Sequence, residues 1–234
     1  EEVLEKIEDL FSPKDLRGVS ILITAGPTHE PIDPVRFITN PSSGKMGYAL
    51  AKVAKRRGAD VTLITGPTSL PPPQKGIETI SVRTAEEMRK AVLDKGEACT
   101  VVIKAAAVSD YRPHVAHRQK LKKTDSRSTL DLERTVDILE ELGKKKRGRI
   151  LVGFAAETEN LVAHAKKKLT EKNLDLIVVN DVTKPGAGFA ADTNQVKILY
   201  ATGEEKDLPL ISKEEVSQQI LDDVVKLLKQ KKGT

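Results

Sequence analysis

A single cysteine, Cys99, occurs in 234 residues. No disulfide can form within the chain. Cys99 opens a predicted strand with no histidine or other base near it in sequence, the setting of a buried structural thiol rather than a nucleophile. Tryptophan is absent and aromatic residues make up 3%, too few to furnish the stacking platform of a single-strand nucleic-acid binder. No apolar run approaches the roughly 18 residues that span a bilayer, and nothing resembles a secretory leader. His114 and His117 lie three apart, but no cysteine or further histidine in their loop completes a metal set. These absences point away from membranes and nucleic acid and towards a reducing, cytoplasmic setting.

What is present suits one large α/β domain. Hydrophobic residues make up 38% and charged residues 31%, with a net charge of +5. Basic runs at Lys144–Arg149, Lys166–Lys168 and Lys229–Lys232 read as solvated surface, and the same charge suits small anionic substrates. Residues 1–16 form an amphipathic helix, with Val3, Leu4, Ile7, Leu10 and Phe11 on one side, closed by Ser12-Pro13. It is set apart as a linker from a domain over residues 17–234.

Beyond it, strand and helix patterns alternate. Continuous apolar runs predict strands at Val19–Thr24, Asp60–Thr65, Ile77–Val82, Thr100–Ala105, Ile150–Phe154 and Leu174–Val179. Helical patterns fall near Gly44–Arg57, Thr84–Lys95, Thr135–Leu142, Glu157–Lys172 and Lys213–Lys231. Val196–Tyr200 and Asp207–Leu210, joined through Thr202-Gly203, predict a late β-hairpin. The order implies a Rossmann-like α/β three-layer sandwich with a mainly parallel sheet. Two strand-to-helix connections, Gly26–Ser43 and Ala106–Glu133, far exceed the usual two to six residues. Both leave the carboxyl ends of strands, where open α/β sheets bind ligands, so the chemistry is placed in these loops.

The first loop ends Asn40-Pro41-Ser42-Ser43-Gly44-Lys45-Met46-Gly47 and runs straight into a helix. Ser42, Ser43, Gly44, Lys45 and Gly47 give small residues and free N–H groups to an anion such as phosphate; an ordinary N-cap with packing glycines is the plain alternative. It is not a Walker loop, because Thr39 replaces the first glycine and Met46 the magnesium-binding hydroxyl. A nicotinamide dinucleotide needs an acid at the end of the second strand, and Leu63-Ile64-Thr65-Gly66-Pro67 has none. Tyr48 and Lys52 match a reductase pattern but sit on the wrong helix. The second loop carries Ala105, Ala106 and Asp110, then Lys120-Leu121-Lys122-Lys123. Small residues leave room for a base or sugar, Asp110 offers a carboxylate, and the lysines form either a flap over a polyphosphate or a solvated basic loop. Phe154 can stack on a base or fill the core, and Lys168 and Lys172 share one helix face.

These motifs, in this order, resemble the phosphopantothenate–cysteine ligase family. The landmarks are Thr24 through Thr28, Asp33 through Arg36, Asn40 through Gly47, Ala106 through Tyr111, Lys120 through Lys123, Gly153 through Thr158 and Asn173-Leu174-Asp175, covering residues 16 to about 228. The resemblance implies an enzyme of coenzyme A biosynthesis. It joins cysteine to 4′-phosphopantothenate with CTP, through an acyl-cytidylate, releasing CMP and pyrophosphate. By the same likeness Asn40 acts on the acyl-cytidylate, Arg36 supports that site, and Lys120 counters phosphate charge. Ala105, Ala106, Asp110, Lys120, Val136, Asp137, Ile138, Phe154, Lys168 and Lys172 contact the nucleotide. Magnesium accompanies the triphosphate, with no ligands identified here. The segment usually reading Asn-Pro-Asp-Ile is Thr135-Val136-Asp137-Ile138, which bears on base choice, since eukaryotic relatives use ATP. The family also implies a homodimer, with the late hairpin as a contact, and an upstream flavin-dependent decarboxylase; no flavin belongs to this domain.

Overall fold

The computed structural model describes residues 7–8, 10–122, 129–157, 160–181, 188 and 190–232. Twelve strands are found among them: β1 (Ser20–Ala25), β2 (His29–Pro31), β3 (Phe37–Thr39), β4 (Asp60–Thr65), β5 (Glu78–Ser81), β6 (Val101–Lys104), β7 (Tyr111–Pro113), β8 (Leu132–Arg134), β9 (Ile150–Glu157), β10 (Leu176–Asp181), β11 (Thr193–Tyr200) and β12 (Glu205–Ser212). Helices α1 (Lys45–Arg56), α2 (Ala85–Gly96), α3 (Ile138–Lys144), α4 (Leu161–Glu171) and α5 (Lys213–Lys232) alternate with them.

Eight strands form one sheet in the order β12-β11-β10-β9-β6-β1-β4-β5. The six strands from β10 to β5 are parallel, and β11 and β12 add an antiparallel edge. The apolar runs make sense in this arrangement, because both faces are covered. On one face, Leu50 and Val53 of α1 and Val216, Ile220 and Val224 of α5 pack on Ile21, Ile103, Val152 and Val178. On the other, Met88 of α2, Leu142 of α3 and Leu169 of α4 pack on Leu22, Val102, Leu151 and Val179. The Rossmann-like three-layer sandwich and the late hairpin are both present.

The long connections contain what periodicity did not reveal. Strands β2 and β3 pair as one small antiparallel ribbon, and β7 and β8 as another. Their three-residue strands are too short to show a period. The β8 pairing also delays α3, whose start at Ile138 is fixed by Asp137 accepting from the N–H groups of Leu139 and Glu140 at 3.1 Å. Strand β9 overruns its expected end at Phe154, since Ala155 and Ala156 pair with Val179 and Asn180 of β10. Helix α4 therefore begins at Leu161 rather than Glu157. In the amino-terminal segment Leu16 is fully buried, whereas Leu10 and Phe11 are exposed; Val3 and Leu4 lie outside the described residues.

The first crossover is anchored by contact rather than by cap. A Cβ on Gly47 would lie 2.5 Å from Ala25 Cβ and 2.9 Å from the Thr24 carbonyl oxygen. Only glycine lets α1 sit this close to β1. Replacing Gly47 by Ala is expected to push α1 away from β1, costing about 1–3 kcal/mol and displacing the loop before it. Urea denaturation reads the first effect and nucleotide titration the second; unchanged values in both would refute this account of the helix seat.

Candidate active site

A cavity of about 870 Å³ opens at the carboxyl ends of β1, β6, β9 and β10. That is the size range of a pocket for a nucleotide-sized ligand. Its lining comes from the loop into α1, the β6 end, the start of α3, the β9 end, the last turn of α4, the β10 end and residues at or beside the starts of β11 and α5.

The first segment is the loop from Asn40 into α1. Gly44 adopts φ +81°, and no side chain caps the helix. The Ser42 and Ser43 hydroxyls stand 3.4 and 3.5 Å from the Gly44 and Lys45 amide nitrogens, at the limit of a hydrogen bond. The N–H groups opening α1 thus have little competition for an anion, and the helix dipole favours one there. Lys45 reaches elsewhere, donating to Asp192 Oδ1 at 2.6 Å and the Ala190 carbonyl at 2.8 Å. Asn40 is held from across the cavity, its Nδ2 donating to the carbonyls of Ala107 and Val108 at 3.3 and 3.2 Å.

The second segment runs from Lys104 through Ala105 and Ala106 to Asp110 and Tyr111. It is locked to the first by an extension of the sheet. Ala107 N–H donates to the Gly26 carbonyl at 3.0 Å, and Ser109 N–H to Thr28 Oγ1 at 3.0 Å. Thr135, Val136, Asp137 and Ile138 form the opposite lip, Phe154 and Ala156 the floor, and Lys168 and Lys172 of α4 one wall. Lys172 Nζ lies 2.5 Å from Asp137 Oδ2. Asp137 therefore caps α3 with one oxygen and pairs with Lys172 through the other, holding its carboxyl below the ordinary range despite burial.

Lys104 stands apart from the other cavity lysines. Burial pushes its ammonium below the usual lysine range, with Asp137 and Asp110 pulling it back up and Lys172 and Lys168 adding to the fall. Its Nζ has no hydrogen bond or ion pair among the described residues. Nothing in the sequence separated it from the apolar run it ends; alternation along β6, which turns Val102 and Lys104 to the same face, is the signal that could have done so.

Fifteen of the residues singled out from sequence line this one cavity: Asn40, Ser42, Ser43, Gly44, Lys45, Gly47, Ala105, Ala106, Asp110, Val136, Asp137, Ile138, Phe154, Lys168 and Lys172. Arg36 and Lys120 do not. Arg36 is committed to Asp33, its Nε and Nη2 reaching Asp33 Oδ2 at 3.0 and 2.5 Å. The same guanidinium donates to the Leu121 carbonyl at 3.1 Å, and Leu121 N–H returns to Asp33 Oδ2 at 3.1 Å. The lysine-rich segment is thereby pinned at Leu121, outside the cavity; Lys123 lies outside the described residues, as does Thr158. The cavity also takes in Asn180, Asn194 and Lys213, which no sequence motif marked.

Residues 16–228 match the model of the DNA/pantothenate metabolism flavoprotein C-terminal domain. The chain belongs to this family. It is 55% identical over 215 residues to the coenzyme A biosynthesis bifunctional protein CoaBC of Bacillus subtilis, a match covering 92% of this chain and 53% of that protein. A protein of an unknown prokaryotic organism named cysteine/cysteine sulfinic acid decarboxylase is 42% identical over 97% of this chain and 65% of its own length. The chain thus spans between about half and two thirds of these relatives. The crystal structure of the C-terminal domain of a coenzyme A biosynthesis bifunctional protein CoaBC superposes with a TM-score of 0.80 at 46% identity, covering 93% of this chain and 99% of that one.

The isolated cation gives a sharp test. Because burial disfavours the charged form of Lys104 in the folded chain, its charge opposes folding wherever it is protonated, and this penalty fades as pH rises through its lowered pKa. Lys104→Met is expected to raise Tm by about 2–4 °C, the usual response of a chain this size to roughly 1 kcal/mol. It should also weaken nucleoside triphosphate binding about ten-fold, the value of one charge-assisted contact. Thermal melts and calorimetric titration check the two effects, and a variant that loses stability while binding normally would contradict this reading.

Proposed function

We propose that this chain is the ligase that joins cysteine to 4′-phosphopantothenate at the expense of CTP. The observation that carries the reading is the cavity at the strand ends, whose lining brings together an uncapped helix start, Lys104 and Phe154. Kinship with the bifunctional coenzyme A biosynthesis proteins supports it.

In this proposal the phosphopantothenate carboxylate attacks the α-phosphorus of CTP, the bond to the β-phosphate breaks, and pyrophosphate leaves. The cysteine amine then attacks the acyl carbon, loses a proton, and CMP departs. The α1 start and Lys104 hold phosphate charge, and Lys120 joins them when its segment closes from the Leu121 anchor. The Asn40 amide, fixed through Nδ2 by two carbonyls, keeps Oδ1 turned to the ligand side of that anchor. From there it accepts a hydrogen bond from the incoming amine. Magnesium enters with the triphosphate. No cluster of three or more metal-ligating side chains occurs among the described residues, which suits an ion carried mainly by phosphate and water, with Asp110 the nearby acid.

The functional unit is proposed to be a homodimer, fused upstream to a flavin-dependent decarboxylase in the full-length protein. Val35, Phe37, Tyr111, Leu132 and Val136, on and beside the two ribbons, are large exposed apolar side chains; on the late hairpin only Leu210 is comparable. The ribbons therefore offer more apolar surface for a second copy than the hairpin does. No helix among the described residues is long and apolar enough to cross a membrane, and a cytoplasmic location is proposed.

Pyrophosphate release with 4′-phosphopantothenate and magnesium tests the reading, comparing CTP with ATP, with and without cysteine. CTP-dependent release, with amide formed only when cysteine is added, is the expected result; no release with either nucleotide would refute it. Lys120→Gln is expected to abolish pyrophosphate release. Asn40→Asp sets a carboxylate oxygen against the Ala107 and Val108 carbonyls, so it should release pyrophosphate yet stall before the amide. Parent-like turnover in both variants would remove these residues from the mechanism.

A further inference from the structure

Residues 24–28 line no part of the cavity, yet they hold the loop that does. Beyond Thr24 the register between β1 and β6 ends, and side-chain hydroxyls stand in for ladder carbonyls. Ala106 N–H donates to Thr24 Oγ1 at 3.1 Å, Ala107 N–H to the Gly26 carbonyl at 3.0 Å, and Ser109 N–H to Thr28 Oγ1 at 3.0 Å. Three N–H groups of the β6 loop are thus taken from one side. The carbonyls of Ala107 and Val108 accept from the Asn40 side chain, whose Nδ2 donates to both.

Thr28 is the centre of this arrangement. It is fully buried, at 0% exposure, and its polar groups serve both sides of the Asn40 anchorage. On the acceptor side, Thr28 Oγ1 fixes Ser109, and Thr28 N–H donates to the Ala107 carbonyl at 3.4 Å. On the donor side, the Thr28 carbonyl accepts from Thr39 Oγ1 at 2.9 Å, which fixes the residue just before Asn40. The pairing of His29 with Thr39 sets Thr28 and Asn40 opposite each other at the open end of the β2/β3 ribbon. We propose that Thr28 is a positioning residue for amide formation: it sets at once the chain that carries Asn40 and the carbonyls that aim its amide. The inference rests on the proposed role of Asn40 and deepens it.

The amide has little freedom in this setting. Nδ2 has two hydrogens, and with both given to carbonyls the amide plane is fixed, and with it the direction of Oδ1. The two acceptors belong to successive residues, so a small shift of their backbone turns the amide. Ser109, at 4% exposure, anchors that backbone from its far end. Without Thr28 Oγ1 its N–H is left buried and unpaired, which favours a displaced loop. A misplacement of about 1 Å slows a positioned step by about a hundred-fold. The α1 start is seated on β1 through Gly47 instead, so the first half-reaction is spared.

Thr28→Val keeps the branched shape and removes the hydroxyl. In single turnover with CTP and 4′-phosphopantothenate it is expected to release pyrophosphate within about three-fold of the parent. With cysteine it should form amide about ten-fold or more slowly, the cost of one buried hydrogen bond read as a rate. Thr28→Ser restores the hydroxyl and should recover amide formation. A readout without turnover is the Asn40 side-chain amide in the NMR spectrum, identified by its absence from Asn40→Asp. It should move towards the position of a solvent-exposed asparagine in Thr28→Val and return in Thr28→Ser. Thr39→Val, at an exposed position, removes only the bond to the Thr28 carbonyl and should show the same split at about three-fold, which carries the test if Thr28→Val fails to fold. Equal loss in both half-reactions, or an Asn40 signal unmoved in a folded Val variant, overturns the inference. A signal that moves in Thr28→Val, when the parent releases no pyrophosphate, would instead uphold the positioning of Asn40 and reject the ligase reading.

Discussion

The close seat of α1 on β1 is the constraint from which the rest of the site follows. Gly47 has no room for a Cβ against Ala25 and Thr24. Gly44 turns the chain at φ +81°, where an added Cβ would lie 3.4 Å from the backbone of Gly26, itself at φ +72°. Two glycines in left-handed backbone, facing one another, bring the start of α1 almost onto the end of β1. A helix placed there points its unpaired N–H groups into the space above the sheet, and that space is the cavity. The opposite wall depends on the same strand end, because the Ala107 N–H closes on the Gly26 carbonyl and carries the β6 loop alongside.

Electrostatics then divides the cavity cations by task. Lys172 and Lys45 are neutralised by Asp137 and Asp192, and each pairing joins two segments: α4 to the cap of α3, and α1 to the connection before β11. These ion pairs are partly exposed and contribute to geometry more than to stability. Lys104 is half-buried and joined to nothing by hydrogen bond or ion pair among the described residues. A site that leaves one partly desolvated cation without a direct partner is more stable with an anion in it. This is the usual exchange of folding stability for affinity at functional sites.

The sequence made the layered architecture legible because its strands are continuous apolar runs. Asp60–Thr65 falls where expected, and helix α5 differs from expectation by one residue. The loops stood out by length alone, yet their ribbons did not, since three residues such as Phe37–Thr39 carry no period. Motif recognition gathered residues from five separate segments into one cavity, from Asn40 to Lys172. It passed over Asn194 and Lys213 because neither belongs to a spaced motif. Each is one polar residue at the end of an apolar pattern, and only the sheet order brings β11 and α5 to the cavity. The distinction lies between chemistry carried within a segment, which a linear reading can find, and chemistry assembled across strands, which it cannot.

The residues outside the cavity complete the logic. Asp33 is buried and holds Arg36 and the Leu121 backbone together, and the guanidinium beside it keeps its carboxyl far below the usual range. A carboxylate that strongly ionised remains a clasp at any pH near neutrality, so the lysine-rich segment has a fixed point at Leu121. Lys120 adjoins that point directly. In the proposed reaction a short reach from this fixed point is what brings Lys120 to phosphate, and such a reach orders little chain and loses little entropy. Positioning by a rigid clasp at one end and a tightly seated helix at the other leaves the ligand itself as the element that draws the two together.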